Sequence, residues 1–590
     1  MDHITMVTLD WVLDSLKKKK RLDIAPYKLD SSSTSSPPST ASGSTNSSDS
    51  KKRKASDPAD EDEKVDKKIK VLKEIRQPPV DMACTLPSTY SVYTDSDVAW
   101  NARLNQTNLD PNNNKFYMIQ LLATPTNQYA VFCHWGRVGA NGQKSTDMFP
   151  DLDLAKRCFE GKFREKTKNA WADRDNFEKR PGKYYLLPPD DGDSDEEVEE
   201  DKSKSKNKGK DKGKGKKIEG SKESKDDQTT PKSKLHHKVQ ELVELIFNTG
   251  MMNRQMKELD YDADKMPLGK LAKSTILHGY EVLKRISEVL GGKPNMPLLS
   301  DLSSEFYTVI PHNFGRNVPP VIRDAPTLKK KLEMLEALGE IEIAQKLIKE
   351  NKKLDEALTI NPLDQQFASL KLNKLEPMSK TSERYKLIEK YVKNTHGTTH
   401  SMYDLVIDEV FDLERQGETE RFADAGFSKF HNRRLLWHGS RLTNYVGILS
   451  QGLRIAPPEA PATGYMFDKG AYFADCVSKS ANYCFTNGSD NVGLMLLCEV
   501  ALGDMHELEQ SDYNAKANSQ KAGKHSTKGC GLSYPDEAHD VNIDDGLRVQ
   551  AGPLKSGSRG AGFRLQYNEY IVYDVSQVKM RYLLKMKFSY

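Results

Sequence analysis

Two stretches of low complexity decide how this chain can fold. Ser31–Ser50 is rich in Ser and Thr and runs into Lys51–Lys54, "KKRK"; Asp190–Lys217 is an acidic block followed by "KSKSKNKGKDKGKGKK". Neither carries the apolar surface that would offset the entropy of ordering it, so both read as linkers and the chain must fold as separate blocks. Its 590 residues agree, since single cores stop growing near ~250–300 residues. The expected division is a leader at 1–30, a linker with a basic cluster at 31–79, a block at 80–188, an acidic and Lys-rich linker at 189–232, a block at 233–361 and a block at 362–590.

Charge and cysteine usage narrow the function classes. Lys+Arg 89 against Asp+Glu 85 leaves a formal net charge of +4, so any nucleic-acid surface must be local rather than a property of the whole molecule. The compact "KKRK" is a nuclear-import candidate, and residence in the nucleus is the expectation. Seven cysteines include no C-x-x-C pair and no histidines at zinc-finger spacing, which speaks against a disulfide framework and a structural zinc; no metal is expected. No apolar run approaches the ~20 residues that span a bilayer, so no membrane partner is expected.

The leader, "HITMVTLDWVLDSLKKKKRLDIAPY", places Val7, Trp11, Val12, Leu13 and Leu16 near helical spacing, but a segment this short buries no core. It resembles the closing helix of a BRCT domain whose earlier elements are absent, as in a truncated chain. The block at 80–188 has strand-like runs, "KFYMIQLLAT" and "QYAVFCHWGRVG", and closes with "NAWADRDNF" and "PGKYYLL". Aromatics interleaved with Arg and Lys stack on bases while the cations hold phosphates, although an aromatic-rich β-domain is commonly just a core. "WGRVG", Trp135 to Gly139, followed by Trp171, resembles the WGR domain. The resemblance implies binding to damaged DNA, at nicks and ends, with Trp135 and Trp171 on the DNA face and Arg137 linking that face to the neighbouring block.

The block at 233–361 reads as nearly all helix. "HHKVQELVELIFNTGMM" puts Val239, Leu242, Val243, Ile246 and Phe247 on one stripe, and "APTLKKKLEMLEALGEIEIAQKLIKEN" repeats the pattern with Pro326 near its start. "GMMNRQMKELDYDADKMPLGKL" and "LSSEFYTVIPHNFG" resemble the regulatory helical domain of DNA-dependent poly(ADP-ribose) polymerases, which implies an autoinhibitory role relieved by DNA.

The last block mixes helical runs such as "SERYKLIEKYVKNTH" with strand-like runs "NRRLLWHG", "VGLMLLCEVAL" and "YNEYIVYDV". Within it "LLWHGSR", Leu435 to Arg441, sets His438, Gly439 and Ser440 in a row. Ser440 lacks the G-x-S-x-G turn of a nucleophile, His438 lacks further ligands at zinc spacing, and a lone strand-end histidine is most often a structural, hydrogen-bonded one. The longer stretch "HGSRLTNYVGILSQGLRIAPPEAPATGYMFDKGAYFADCVSKSANYCF", with "YNEYIVYD", resembles the catalytic domain of poly(ADP-ribose) polymerases over nearly its whole length. Together the resemblances imply a multidomain α+β chain: a small β-rich domain, an all-α regulatory bundle, and an α+β catalytic domain with an antiparallel-sheet core, joined by disordered linkers.

The implied substrate is NAD+. Its carboxamide presents one acceptor and two donor hydrogens. The backbone of Gly439 and the hydroxyl of Ser440 match that demand, and glycine lets the ring approach the main chain. By the same resemblance His438 bonds the adenine-side ribose, Tyr472 and Tyr483 stack on the nicotinamide, and Arg454, Tyr465, Phe473, Ala474 and Ser480 complete the NAD+ site. Met466, Lys479 and Tyr567 fall in the acceptor subsite. Glu569 matches the catalytic glutamate. Breaking the nicotinamide–ribose bond builds positive charge on the sugar, which a carboxylate there stabilises; His438, Tyr472 and Glu569 form the expected catalytic set. Asp468 and Ala471 depart from the Gly and Ile common in that loop, which bears on acceptor preference and polymer length.

The expected function is a DNA-break-activated transferase that makes poly(ADP-ribose) on itself and other proteins in the DNA damage response. The alternatives are transfer of a single ADP-ribose, and a silent DNA-end-binding scaffold. Ser203, Ser205 and Ser233 each follow a lysine in the second linker and are expected automodification sites.

Overall fold

The computed structural model describes residues 78–95, 98–188, 231–261, 272–293, 295–355, 360–544, 546–557 and 565–590. The BRCT-like leader, the "KKRK" cluster, Ser203 and Ser205 lie outside the described residues. The described residues fall in one compact unit.

The N-terminal described block is an antiparallel sheet in the order Gln143–Phe149, Tyr129–Arg137, Asn113–Ala123, Asn101–Asn108, Tyr185–Leu186, with Ser91–Val92 added against Asn113–Ala123. Alternation along the strands gives it two apolar faces. Tyr117, Ile119 and Leu121 turn toward the helix Leu152–Thr167, whose Ala155, Phe159 and Phe163 fill the same core. Phe116 points the other way, into the core of the following helical block. Asp151 starts the helix by accepting from the Leu154 N–H at 3.0 Å, and Lys168 ends it in the left-handed conformation, φ 64°.

Trp171 belongs to this core. It is 6 % exposed, edge-on to Phe159 and Phe163 with ring centroids at 4.9 and 5.1 Å. Trp171, expected on the DNA face, thus packs inside this core against Phe159, Phe163 and Trp100, the last 6.2 Å away centroid to centroid. Trp135 is only partly buried and lies parallel to Tyr117, 18° apart with centroids at 5.6 Å.

The helical block comprises His237–Ile246, Thr249–Glu258, Lys273–Gly291, Met296–Val309 and the long helix Ala325–Asp355. Val239, Leu242, Val243, Ile246 and Phe247 are all buried, as their spacing predicts. Gly279 sits in a tightly filled spot of this core: a Cβ there would meet Ile310 Cγ1 at 3.0 Å and Leu335 Cδ1 at 3.2 Å. Ser233 is tied to this architecture rather than to a linker. Its hydroxyl donates to Asp364 Oδ1 at 2.5 Å, Asp364 Oδ2 accepts from the Lys234 N–H at 3.1 Å, and Asn361 Nδ2 donates to the Pro231 carbonyl at 2.8 Å. The reading of Ser233 as a linker serine is corrected accordingly.

The C-terminal block is built on a seven-stranded sheet in the order Val541–Ile543, Leu547–Val549, Arg433–Gly439, Val492–Ala501, Val578–Ser589, Asp404–Arg415, Leu372–Pro377. Its long central pairs are antiparallel. A four-stranded sheet, Ala471–Phe473, Glu569–Val572, Ser526–Gly529, Met505–Leu508, lies beside it. Trp437 and Ala474 join the two through a reciprocal pair of backbone bonds at 2.8 and 3.0 Å. This seam brings His438, at the end of one strand, next to Tyr472 on the other.

Candidate active site

The seam is built from residues far apart in sequence. Trp437, fully buried, anchors the strand Arg433–Gly439, and His438 and Gly439 emerge at its end. The His438 Nδ1–H donates to the Tyr472 carbonyl at 2.9 Å. A carbonyl only accepts, so this contact sets the tautomer and leaves Nε2 as an acceptor. Burial holds the ring's pKa below its ordinary value, with the Tyr472 carbonyl opposing. The histidine is therefore a neutral acceptor at neutral pH.

Gly439 is required for a reason the sequence does not display. A Cβ there would fall 1.9 Å from the Ser480 carbonyl oxygen and 2.7 Å from its carbon, so the strand end and the helix Val477–Ala481 touch backbone to backbone. Ser480 is buried and its hydroxyl donates to the Trp437 carbonyl at 3.0 Å. Asn444 Nδ2 donates to Ser440 Oγ at 2.9 Å, which leaves the Ser440 proton available to an acceptor. Two serine hydroxyls thus flank Gly439, on separate segments.

Tyr472 is fixed by its own loop. Its hydroxyl donates to the Asp468 carbonyl at 2.7 Å and accepts from the Phe467 N–H at 3.0 Å; burial raises its pKa. With both contacts made to backbone, Tyr472 offers its ring rather than its proton. Asp468 adopts φ 62°, a conformation glycine takes without strain and that aspartate tolerates when its carboxylate bonds locally. Here Oδ1 accepts from the Lys469 N–H at 2.7 Å. The departure from glycine at this position is thus absorbed by the side chain itself. Ala471 pairs with Val572 inside the four-stranded sheet.

Tyr483 is 41 % exposed, so its ring is open on one side. Phe473 is buried with its ring 5.7 Å from His438, and Ala474 contributes the bridge to Trp437. Tyr465 lies 6.2 Å from Tyr472, centroid to centroid. The expected acceptor residues divide. Lys479 and Tyr567 line a common cleft with Tyr483 of the expected NAD+ site and with His400, Asn482 and Gln566, whereas Met466 packs beside Phe467, Ala515 and Ile571. Tyr567 is buried, with its hydroxyl 2.8 Å from Thr399 Oγ1.

Glu569 opens the strand Glu569–Val572. Its Oε1 pairs with Lys479 Nζ at 2.8 Å, with side-chain exposures of only 12 % and 14 %; Lys479 also donates to the Tyr567 carbonyl at 3.0 Å. Glu569 Oε2 is buried without a hydrogen-bond partner among the described residues. A buried charged oxygen left unpaired is costly, and a ligand hydroxyl is the group that satisfies it. The neutral His438 acceptor, the open Tyr483 ring and this oxygen fit the hydroxyl-rich, flat-ringed NAD+ that the sequence implied. Arg454 is already engaged: its Nη2 pairs with Glu340 of the long helix, a carboxylate packed directly against Gly447. Sequence reasoning did not include His400 or Glu340, because neither lies in a motif and each reaches the site only through the tertiary fold.

Among the described residues no helix is long and apolar enough to cross a membrane. Residues 382–588 match the poly(ADP-ribose) polymerase catalytic domain, 233–367 the poly(ADP-ribose) polymerase regulatory domain and 100–178 the WGR domain. Similar proteins include poly(ADP-ribose) polymerase 2 of Arabidopsis thaliana, 46 % identical over 509 residues that cover 86 % of this chain and 76 % of the relative. Poly(ADP-ribose) polymerase 2 of Homo sapiens is 43 % identical over 532 residues, 89 % of this chain and 86 % of the relative. With the three domains in order and the site assembled where two sheets meet, this chain belongs to the poly(ADP-ribose) polymerase family and is an NAD+ ADP-ribosyltransferase.

Proposed function

We propose that this enzyme is switched on by DNA breaks, builds poly(ADP-ribose) on itself and on other proteins, and acts in the nucleus in the DNA damage response. The observation that carries the chemical part is the Glu569 carboxylate, held through one oxygen by Lys479 and unpaired at the other. In this reading Oε2 accepts from the hydroxyl of the nicotinamide-bearing ribose. The charge favours the oxocarbenium-like state as nicotinamide leaves, and the carboxylate orients the incoming hydroxyl. His438 Nε2 accepts from the adenine-side ribose, Tyr472 and Tyr483 hold the nicotinamide ring, and Gly439 with Ser440 and Ser480 meets the carboxamide.

The switch is supported by contacts at both ends of the helical block. Arg137 donates to the Gly315 carbonyl, to the Asn317 carbonyl at 3.2 Å and to Asn112 Oδ1 at 2.9 Å. Asn114 Nδ2 reaches the His312 carbonyl at 2.8 Å and Asn105 Nδ2 the Thr308 carbonyl at 2.8 Å. At the other end Glu340 occupies Arg454. DNA bound at Trp135 and Arg137 would shift the first set, and release of Arg454 would open the NAD+ site. Ser203 and Ser205 remain the proposed automodification serines.

Incubation with labelled NAD+, with and without nicked DNA, followed by gel separation, tests the reading. A ladder that requires DNA supports it. A single shifted band identifies a mono-transferase, and DNA binding without label identifies a scaffold.

A further inference from the structure

Glu569 lies between two residues that point the opposite way. Strand alternation sends Asn568 and Tyr570 into the interior, 5 % and 0 % exposed, where both meet the same oxygen: Asn568 Nδ2 donates to Asp475 Oδ2 at 2.7 Å and the Tyr570 hydroxyl donates to it at 2.9 Å. The second oxygen, Asp475 Oδ1, is buried without a hydrogen-bond partner among the described residues. Tyr570 accepts in turn from Arg434 Nη1 at 3.1 Å, and Arg434 Nη1 also reaches Gln550 Oε1 at 2.9 Å. Asn568 Oδ1 accepts from the Gly531 N–H at 2.9 Å.

Asp475 is therefore a junction of the three segments that carry the site. It directly follows Ala474, whose backbone bonds Trp437 next to His438. Two and four residues on stand Val477, held to the Thr395 carbonyl at 3.1 Å, and Lys479, the partner of Glu569. Arg434 stands on the strand that ends in His438. A wholly buried carboxylate is expensive and persists where its hydrogen bonds specify an arrangement.

We propose that Asp475 is a positioning residue for Glu569, gripping the strand on both sides of the catalytic carboxylate through Asn568 and Tyr570. The proposal rests on the reading of Glu569 as the catalytic glutamate. Burial, which raises the Asp475 pKa against the opposing effects of Asn568, Tyr570 and Arg434, agrees with a group kept for its contacts rather than for solvation.

The test is a double-mutant cycle on the full-length enzyme with saturating nicked DNA, reading nicotinamide release from NAD+. Asp475→Ala lowers kcat by about 10- to 100-fold, the scale of a misplaced catalytic group, while KM for NAD+ stays within about twofold. Asp475→Asn, which keeps an acceptor for both donors, recovers part of kcat. In a Glu569→Gln background, Asp475→Ala causes no further loss, because the residue it positions is already disabled. An equal fold-loss in both backgrounds, a change confined to KM, or an unchanged kcat overturns the proposal. If Asp475→Ala does not fold, Tyr570→Phe enters the same cycle with the same expected and overturning results. Full activity of Glu569→Gln alone would instead overturn the reading of Glu569, a result distinct from unaffected Asp475 variants beside an impaired Glu569→Gln.

Discussion

Lys479 and Glu569 form a nearly enclosed ion pair, Nζ to Oε1 2.8 Å, that uses one carboxylate oxygen and leaves the other buried and unpaired. The lysine therefore orients the glutamate without occupying it.

Glu569→Gln is expected to abolish the polymer ladder in the labelled-NAD+ assay. Lys479→Met leaves an uncompensated buried carboxylate, which costs about 3 kcal/mol of stability and should lower kcat more than it raises KM. A Lys479→Met protein with wild-type kcat and thermal midpoint would remove the orienting role.

Gly439→Ala should be more damaging than its size indicates. The added methyl would sit 1.9 Å from the Ser480 carbonyl oxygen, so the strand end and the helix Val477–Ala481 must separate. Overpacking of this kind costs about 1–3 kcal/mol, and the separation displaces both serines that flank the glycine. A calorimetric midpoint and KM for NAD+ check this; Ser440→Ala, which leaves the backbone in place, should retain the midpoint.

His438 sets a pH expectation. Its folded pKa lies below the ordinary 6.5, so the neutral ring and its Nε2 acceptor persist as pH falls through that value. KM for NAD+ should stay level from pH 8 down through 6.5 and rise only further down. Stability runs the other way: below 6.5 the unfolded chain takes up a proton that the folded ring refuses, so this residue's contribution to stability falls as pH drops. A KM profile with its inflection at 6.5 would show that the ring is not held neutral.

Arg137 and Glu340 should shift regulation in opposite directions. Arg137→Ala removes contacts to the Gly315 and Asn317 carbonyls and should reduce the fold stimulation by nicked DNA more than it weakens DNA binding. Glu340→Ala frees Arg454 and should raise the rate without DNA by about tenfold or more, the scale of a coupling of 1–3 kcal/mol. Rates with and without DNA, beside a DNA-binding titration, separate the two.

The residues proposed for the site stand in contiguous motifs: His438, Gly439 and Ser440 in one run, Tyr472 and Tyr483 in another, Glu569 in a third. The helical stripe Val239, Leu242, Val243, Ile246 and Phe247 was legible because burial follows the 3.6-residue period. The burial of Trp171 was not legible, since an aromatic flanked by charges has the same local appearance whether it packs on Phe159 and Phe163 or faces solvent. Ser233 was misread because its partner, Asp364, is 131 residues away.

What the sequence determined by itself was the class of each block, β-rich, all-helical or mixed, and the family its motifs resemble, because composition, periodicity and motif are local properties. The tertiary structure alone decided which groups are free to act. It engaged Arg454 with Glu340, gave His438 its tautomer through the Tyr472 carbonyl, made Gly439 obligatory against Ser480 and braced Glu569 from behind through Asp475. Each of those outcomes depends on a distance between segments that no local pattern encodes.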